Sequence, residues 1–272
     1  FAVLGSAFLH ALWNALIKTG TSRLSALVVL SILEVPTGLI VAAFFPFPAA
    51  QVWPWVFASG ATHFFYKFFL TYAYERGDLS RVYPIARGTA PLIVALTGSL
   101  FLTDQLSLHE YLGVALLGGG ILLMAQGVFA SGENRRLLPF ALGSALATAA
   151  YTIIDGSGAR VSEQAVAYVA WVFVVDGLTF ASVMLAWKGT GLLPREARAW
   201  GSGAIAAAAS FGAYGVSVWA MTKAPIAVVA AVRETSILFA VLIGWLAFGE
   251  KLTRGKALAA CVIVAGVILT RL

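Results

Sequence analysis

Apolar runs of about the length that crosses a lipid bilayer recur along the whole chain. Of its 272 residues, 60% are hydrophobic and 11% are charged, a balance that is foreign to a soluble domain of this size. Inside a bilayer the backbone must satisfy its own hydrogen bonds, so these runs predict membrane-spanning helices. We therefore expect an all-α polytopic membrane protein with short connections and no soluble domain.

Ten membrane-spanning segments of about 17–23 residues each fit the pattern of these runs. They cover residues 1–17, 24–45, 53–74, 82–102, 109–129, 137–154, 165–187, 200–221, 226–248 and 255–269. A polar segment at 131–136 separates the fifth span from the sixth. We therefore predict two five-helix repeats, residues 1–130 and 137–272.

One stretch of sequence occurs twice and identifies the two halves as repeats. The stretch that begins at Arg87 matches the stretch that begins at Arg233. At one constant offset, Arg87, Thr89, Gly98, Asp104, Leu106 and Ser107 correspond to Arg233, Thr235, Gly244, Glu250, Leu252 and Thr253. Because each half has five spans, an odd number, the halves must enter the membrane from opposite sides. This predicts an inverted repeat with its site at the repeat interface.

Each copy of the repeated stretch ends in an acid-x-Leu-Ser/Thr turn before an apolar last helix. The second copy reads Gly-Glu-Lys-Leu-Thr over residues 249–253, and the first has Asp104 and Gln105 in place of Glu and Lys. Over its whole length the chain resembles the EamA-type transporters of the drug/metabolite transporter superfamily. The resemblance implies ten helices around a central cavity and export of small metabolites. Amino acids are the commonest class, with aromatic amino acid exporters as one branch. Multidrug and nucleotide-sugar or organic-anion transporters of the same fold are the alternatives.

Four charged residues lie inside apolar spans at repeat-related positions. Glu34 corresponds to Asp176, as Arg87 corresponds to Arg233. A charge inside a span is costly unless it is paired, so we predict one structural acid–arginine pair in each half. The pairs would be Glu34 with Arg87 and Asp176 with Arg233. The alternative is that one arginine reaches the cavity and holds a substrate carboxylate. In both cases, removal of one residue would leave its partner uncompensated.

Glu234 follows Arg233 and takes the place of Gly88 in the first repeat. Successive residues of a helix point about 100° apart, so we expect Glu234 not to share the face of Arg233. Its carboxylate would carry protons or hydrogen-bond to another helix. Proton coupling through Glu34, Asp176, Glu234 or His63 is one option, and gradient-driven efflux without them is the other.

The third span carries the most informative polar face. His63, Tyr66 and Lys67 follow helical spacing and form one stripe. Placing such polar groups in contact with lipid in the middle of a span costs free energy, so we expect this stripe to line a water-filled cavity. The alternative is that Lys67 extends to the membrane surface and His63 bonds a neighbouring carbonyl.

Aromatic and basic side chains of other spans complete the candidate binding site. Aromatic faces suit an apolar side chain or an ammonium group, and basic groups suit a carboxylate. An amino acid presents that combination. The predicted substrate-binding residues are Trp13, Asn14, His63, Tyr66, Lys67, Tyr83, Arg87, Tyr151 and Tyr214.

A membrane-embedded enzyme is the hypothesis of a different class. Hydrolases and transferases of this kind need a metal cluster or paired carboxylates. Here His10, His63 and His109 are isolated, no two acids share helical spacing within a span, and the single cysteine lies in the last span. We therefore expect no enzymatic activity, no metal and no cofactor.

The net charge of +6 lies in the connecting loops and includes no basic block of the kind that binds nucleic acid. The expected partners are a small-molecule substrate, the lipid bilayer and, if transport is coupled, protons. We expect a monomer in a bacterial inner membrane. The positive-inside rule puts the more basic loops in the cytoplasm and both termini outside, whereas the resemblance implies both termini inside.

Overall fold

The computed structural model of the protein describes residues 2–18, 22–74, 79–102, 104–124, 137–248 and 254–270. For residues 13–18, 74, 79–86, 101, 124, 244 and 247–248 it describes the backbone alone. The helices are α1 (Ala2–Lys18), α2 (Arg23–Ala42), α3 (Trp53–Tyr74), α4 (Leu79–Phe101), α5 (Leu108–Met124), α6 (Leu138–Ser162), α7 (Ala165–Lys188), α8 (Ala197–Met221), α9a (Ile226–Arg233), α9b (Ser236–Phe248) and α10 (Arg254–Leu269). This part of the chain contains no β-strand, which confirms the all-α prediction.

Five of the described segments are long and apolar enough to cross a bilayer. They are α2, α6, α7, α8 and residues 226–243, which run from α9a into α9b. Two shorter apolar segments, Ala2–Leu12 and Leu108–Leu123, lie in α1 and α5. These lengths fit a chain that crosses the membrane many times.

The protein exposes large apolar side chains on its outside and buries several charged ones in its interior. Ile40, Leu100 and Leu246 are 64%, 70% and 67% exposed. Glu34 and Lys67, by contrast, are each 4% exposed. Lipid solvates exposed apolar side chains but not charged ones, so this distribution is that of a polytopic membrane protein.

The helices of the two halves pack in a reciprocal pattern. Helices at equivalent places in the two repeats meet directly, since α2 packs on α7, α5 on α10 and α4 on α9a. A further pair of contacts is matched across the halves, because α1 packs on α8 as α3 packs on α6. A two-fold axis that exchanges the halves would produce this pattern, which supports the predicted repeat. The inverted orientation of the halves stays a prediction.

Glycines allow the closest of these contacts, between α2 and α7. A Cβ atom on Gly38 would lie closer than 3.0 Å to the carbonyl oxygen of Ala170. A Cβ atom on Gly177 would lie equally close to the carbonyl oxygen of Ser31. The two backbones therefore touch at both ends of a short crossing, and the side chains between these glycines are brought face to face.

The structure corrects two of the predicted spans. The ninth span, predicted as one helix over 226–248, is broken at Glu234 and Thr235. There the backbone N–H groups bond the carbonyl three residues back, as in a 3₁₀ turn, instead of four. The sixth span, predicted to end at residue 154, continues as α6 to Ser162. The longer α6 includes the buried Asp155, and the break in the ninth span brings Glu234 into contact with Arg233.

Candidate functional site

Four aromatic rings from both halves converge where α3, α6 and α8 meet. The imidazole of His63 stacks on the ring of Tyr151, with centroids 4.0 Å apart and planes 23° apart. Tyr66 meets the edge of Tyr151 at 5.6 Å, and Tyr214 lies 5.5 Å from His63. Four of the predicted binding residues are thus brought together in one cluster.

Two arginines lie beside these rings and share one carboxylate oxygen. Arg87 Nη1 donates to Glu234 Oε1 at 3.1 Å, and Arg233 Nη2 lies 3.4 Å from the same oxygen. The guanidinium carbon of Arg233 stands 5.8 Å from the ring centre of Tyr151 and 5.9 Å from that of Tyr214. Among the described residues, two cations thus face the single carboxylate of Glu234, which leaves positive charge in excess there, and Arg233 Nε has no hydrogen-bond partner.

The first helix joins this group through His10. Arg87 Nη2 contacts Nε2 of His10. A guanidinium can only donate, so this ring nitrogen must accept, and the His10 imidazole is neutral in this arrangement. The arginine pair is therefore held by α1, α4 and the break in α9.

The break in α9 explains why one prediction about Glu234 is wrong. In a continuous helix its side chain would diverge from that of Arg233. In the 3₁₀ turn at Glu234, where φ is −70° and ψ is −6°, the two side chains reach each other and form an ion pair. Neighbours in sequence thus become partners because the regular helix ends at Arg233.

Asp155 provides a carboxylate at the hydroxyl end of Tyr214. Its side chain is fully buried and accepts hydrogen bonds from the hydroxyl groups of Tyr214 and Tyr168, the latter at 2.9 Å. The Nδ1 atom of His63 lies 4.0 Å from Asp155 Oδ2 and 3.1 Å from the carbonyl oxygen of Ser59. Tyr214 therefore touches an acid with its hydroxyl and faces an arginine with its ring.

A second charge cluster lies at the crossing of α2 and α7. Lys67 Nζ is 2.8 Å from Glu34 Oε2, 2.8 Å from Asp176 Oδ2 and 2.8 Å from Ser31 Oγ. The predicted acid–arginine pairs are therefore wrong. The two acids share one lysine, and the two arginines share one glutamate. Repeat-related residues converge across the interface between the halves, so each pair of like charges needs one bridging residue.

Lys67 and Tyr66 do not share a surface, although both follow His63 at helical spacing. They are adjacent in sequence and point about 100° apart. Tyr66 turns towards α6, and Lys67 turns towards α2 and α7. The three donors of the ammonium group are matched by three oxygen atoms, so Lys67 stands apart from the ring cluster.

Three hydroxyl groups without partners line α6 beside the rings. Ser144, Thr148 and Thr152 are spaced by four residues and lie on the side of the helix that carries Tyr151 and Asp155. Each is at most 1% exposed, and none of their hydroxyl oxygens has a hydrogen-bond partner. A buried hydroxyl left unpaired costs about 1–3 kcal/mol, so these groups are available to a hydrogen-bonding ligand.

One end of the bundle is held by an ion pair between the halves. Arg160, near the end of α6, binds both oxygens of Asp104 at 2.8 and 2.9 Å and also donates to the carbonyl oxygens of Met221 and Ala224. Asp104 accepts a further bond from the backbone N–H of Ile226. We call Asp104 and Arg160 the latch. Burial acts to raise the pKa of Asp104, but these hydrogen bonds outweigh it and leave the pKa below its ordinary value.

The structure describes most of the predicted site, and it adds residues that were not predicted. Trp13, Asn14 and Tyr83 were predicted to bind substrate, and their side chains lie outside the described residues. Asp155 and His10 join the site without having been assigned to it. Asp155 lies one turn beyond Tyr151 in α6, and this helical spacing already places both residues on one polar stripe in the sequence.

These features define a class of protein, a helical membrane protein made of two repeats with a polar site where they meet. The sequence model of the EamA-like transporter family matches residues 1–126 and again residues 136–272. The chain belongs to the EamA-like transporter family, and it is therefore a transporter of the drug/metabolite superfamily.

Comparison with solved structures supports the fold. A crystal structure of another protein superposes with a TM-score of 0.78 over 99% of this chain and 98% of that chain, at 16% sequence identity. At that identity the likeness shows the fold alone. No curated protein matches the chain.

Proposed function

We propose that this transporter exports small zwitterionic metabolites, with amino acids as the substrate class, by alternating access across a bacterial inner membrane. The observation that carries the proposal is the pair of opposite charges that contact Tyr214, Arg233 at the ring and Asp155 at the hydroxyl. Arg233 shares Glu234 with Arg87, and Asp155 lies at the tyrosine hydroxyl. A zwitterion presents the complementary pair of charges.

The carboxylate of the substrate would bind at the arginine pair. The surplus positive charge attracts an anion, and Arg233 Nε is a free donor in a buried place. Charge-assisted hydrogen bonds of this kind are about twice as strong as neutral ones. Arg87 keeps its predicted role as a substrate ligand, together with Arg233.

The ammonium group of the substrate would lie towards Asp155. The rings of Tyr66, Tyr151 and Tyr214 pack against one another there, and such rings suit a cation or an apolar side chain. His63, stacked on Tyr151, completes the wall. The unpaired hydroxyls of Thr148 and Thr152 would hydrogen-bond the substrate as it leaves along α6.

Alternating access would use the break in α9 and the latch. Discontinuous helices at the repeat interface are a recurring feature of secondary transporters, because half-helices can move separately. Glu234, at the break, would transmit substrate binding at the arginines to α9b. The latch would open when the halves rock apart at that end of the bundle.

An organic-anion or nucleotide-sugar transporter is the second candidate. The surplus positive charge at Arg87 and Arg233 favours it, since an anion alone would neutralise that charge. The two candidates differ at Asp155, which serves a zwitterion and repels a simple anion.

Uptake into proteoliposomes tests the proposal. Labelled aromatic, aliphatic, basic and acidic amino acids would be compared with an α-keto acid analogue, a nucleotide-sugar and a lipophilic cation. We expect uptake of zwitterionic amino acids with mutual competition, and D155N should weaken amino acid binding more than binding of the keto acid. Uptake confined to the keto acid, the nucleotide-sugar or the lipophilic cation would contradict the proposal.

A further inference from the structure

We infer that Glu34, Lys67 and Asp176 form a proton-binding site, in which the two carboxyl groups hold one proton between them. The proton is held by the pair as a unit, because the two acids share one lysine. The existence of this site is independent of the substrate. Its coupling to transport rests on the proposed function.

The geometry brings the acids together and isolates them from solvent. Lys67 Nζ lies 2.8 Å from one oxygen of each acid. All three side chains are about 5% exposed. Gly38 and Gly177 set the distance, since each allows the backbones of α2 and α7 to touch next to an acid.

The charges at this place do not balance when all three groups are ionised. Two carboxylates face one ammonium, which leaves one negative charge in the interior. In the described part of the chain no other ionisable side chain pairs with either acid. Ser31 supplies a hydroxyl, and the ring of Phe180 lies 5.4 Å from Lys67 Nζ. The described side chains of α1 and α8, which also pack on α2, form no ion pair with this site.

The second oxygen of Asp176 points to the same conclusion. Asp176 Oδ1 is buried and has no hydrogen-bond partner. A buried carboxylate oxygen without a hydrogen-bond partner raises the free energy of the folded protein. Uptake of a proton by the acid pair removes this cost. Glu34 and Asp176 share one cation, whereas Glu234 alone contacts two.

The position of the site gives the proton a role in transport. Glu34 belongs to the first half and Asp176 to the second, and Lys67 holds them across the interface. When the halves move, the ammonium must favour one acid, and the other then keeps or releases the proton. Proton binding would in this way be linked to the direction in which the transporter is open.

Difference infrared spectroscopy on the protein in lipid nanodiscs, without substrate, tests the site. We expect a carbonyl band of a protonated carboxyl group that titrates with pH. E34Q and D176N should each lose this band, because one acid with Lys67 is already neutral. The control D104N, which changes the latch, should keep it. Spectra of E34Q and D176N that match the wild type would overturn the inference.

Conservative variants keep the test decisive if E34Q or D176N fails to fold. E34D and D176E retain both acids and should shift the frequency of the band, whereas an unshifted band would again overturn the inference. In proteoliposomes, E34Q should retain substrate exchange and lose its acceleration by a pH gradient. An E34Q variant that still responds to the gradient like the wild type would contradict the coupling. Absence of amino acid uptake with loss of the infrared band would contradict the substrate and leave the proton site standing.

Discussion

The hydroxyl of Tyr214 donates a hydrogen bond to the carboxylate of Asp155, a side chain that is fully buried. Through this contact the acid is fixed beside the ring that faces Arg233. The positive and negative ends of the site are thus joined by a single tyrosine. A substitution that removes the hydroxyl and keeps the ring therefore distinguishes the contact with Asp155 from the contact with Arg233.

Y214F keeps the ring and removes the hydrogen bond to Asp155. A hydrogen bond to a charged group is worth about 1.5–3 kcal/mol, so we expect a loss of amino acid affinity of roughly tenfold or more. Concentration-dependent uptake in proteoliposomes measures it. The matched control is Y168F, which removes the other tyrosine hydroxyl from Asp155. Since Tyr168 has no place beside Arg233, equal losses in both variants would argue against a special role for Tyr214.

Glu234 should matter more for stability than either arginine it binds. E234Q leaves Arg87 and Arg233 close together without an acid, and an uncompensated buried charge costs about 3–5 kcal/mol. R87Q leaves one acid with one arginine and should be much milder in stability while abolishing transport. Thermal unfolding in detergent compares the two variants. A decrease in Tm for R87Q as large as that for E234Q would contradict the shared-acid arrangement.

Lys67 should be the least replaceable member of its cluster. K67M leaves Glu34 and Asp176 without a cation and should lower the stability by about 3–5 kcal/mol or prevent insertion. E34Q leaves a balanced pair and should unfold close to the wild-type temperature. This reverses the expectation from sequence, in which loss of Glu34 would strand an arginine. Yield and Tm of the two variants decide between the arrangements.

The latch should make stability depend on pH in the acid range. The folded-state pKa of Asp104 lies below its unfolded value because the hydrogen bonds from Arg160 and Ile226 outweigh the effect of burial. Its contribution is therefore complete above the unfolded pKa of about 4 and is lost as pH falls through the folded value. D104N should lower stability at neutral pH by roughly 1 kcal/mol, since the pair is partly exposed.

Unfolding of the wild type and D104N over a range of pH checks this prediction. The difference in stability should shrink as the solution becomes more acidic, because protonated Asp104 resembles asparagine. A difference that stays constant below pH 4 would show that the carboxylate charge is unimportant there. Arg160 would then hold the loop through its backbone contacts alone.

The contact between α2 and α7 should not tolerate an added methyl group. G177A would bring a Cβ atom closer than 3.0 Å to the carbonyl oxygen of Ser31 and push the helices apart. We expect a cost of about 1–3 kcal/mol. G201A is the matched control, because nothing lies within 4 Å of that position in α8. Helix propensity alone favours alanine, so a G177A protein as stable as G201A would disprove the close contact.

The fold could be predicted from sequence because it follows from the lipid surroundings and from the length of the apolar runs. Apolar runs as long as a bilayer is thick have few alternatives to helices, and the repeated stretch at Arg87 and Arg233 marks two halves. The end of a span is harder to predict. The sequence predicts too short a sixth span, because the run Asp155-Gly-Ser-Gly interrupts the apolar pattern. In the structure the helix continues beyond this run, packed against α3 and α7.

The partners of the buried charges could not be predicted, because pairing depends on tertiary contacts. Sequence identifies Glu34 and Asp176 as equivalent, and it does not show that they meet. Tyr66 and Lys67 follow His63 by three and four residues, both helical spacings, and this pattern does not show that they face different neighbours. The break at Glu234 lets its carboxylate contact two arginines, and nothing in the local sequence marks this position as a helix end.

Lys67 and Glu234, which bridge the two pairs of like charges, also determine whether one half of the protein could replace the other. Lys67 has no charged counterpart in α8 between residues 200 and 221, and the counterpart of Glu234 is Gly88. A protein built from two copies of the first half would have enough lysine for its acids but no acid for its arginines. Two copies of the second half would have the opposite shortage. Each half therefore carries a charge that only the other can balance, and this chain works only as a fused pair of unlike repeats.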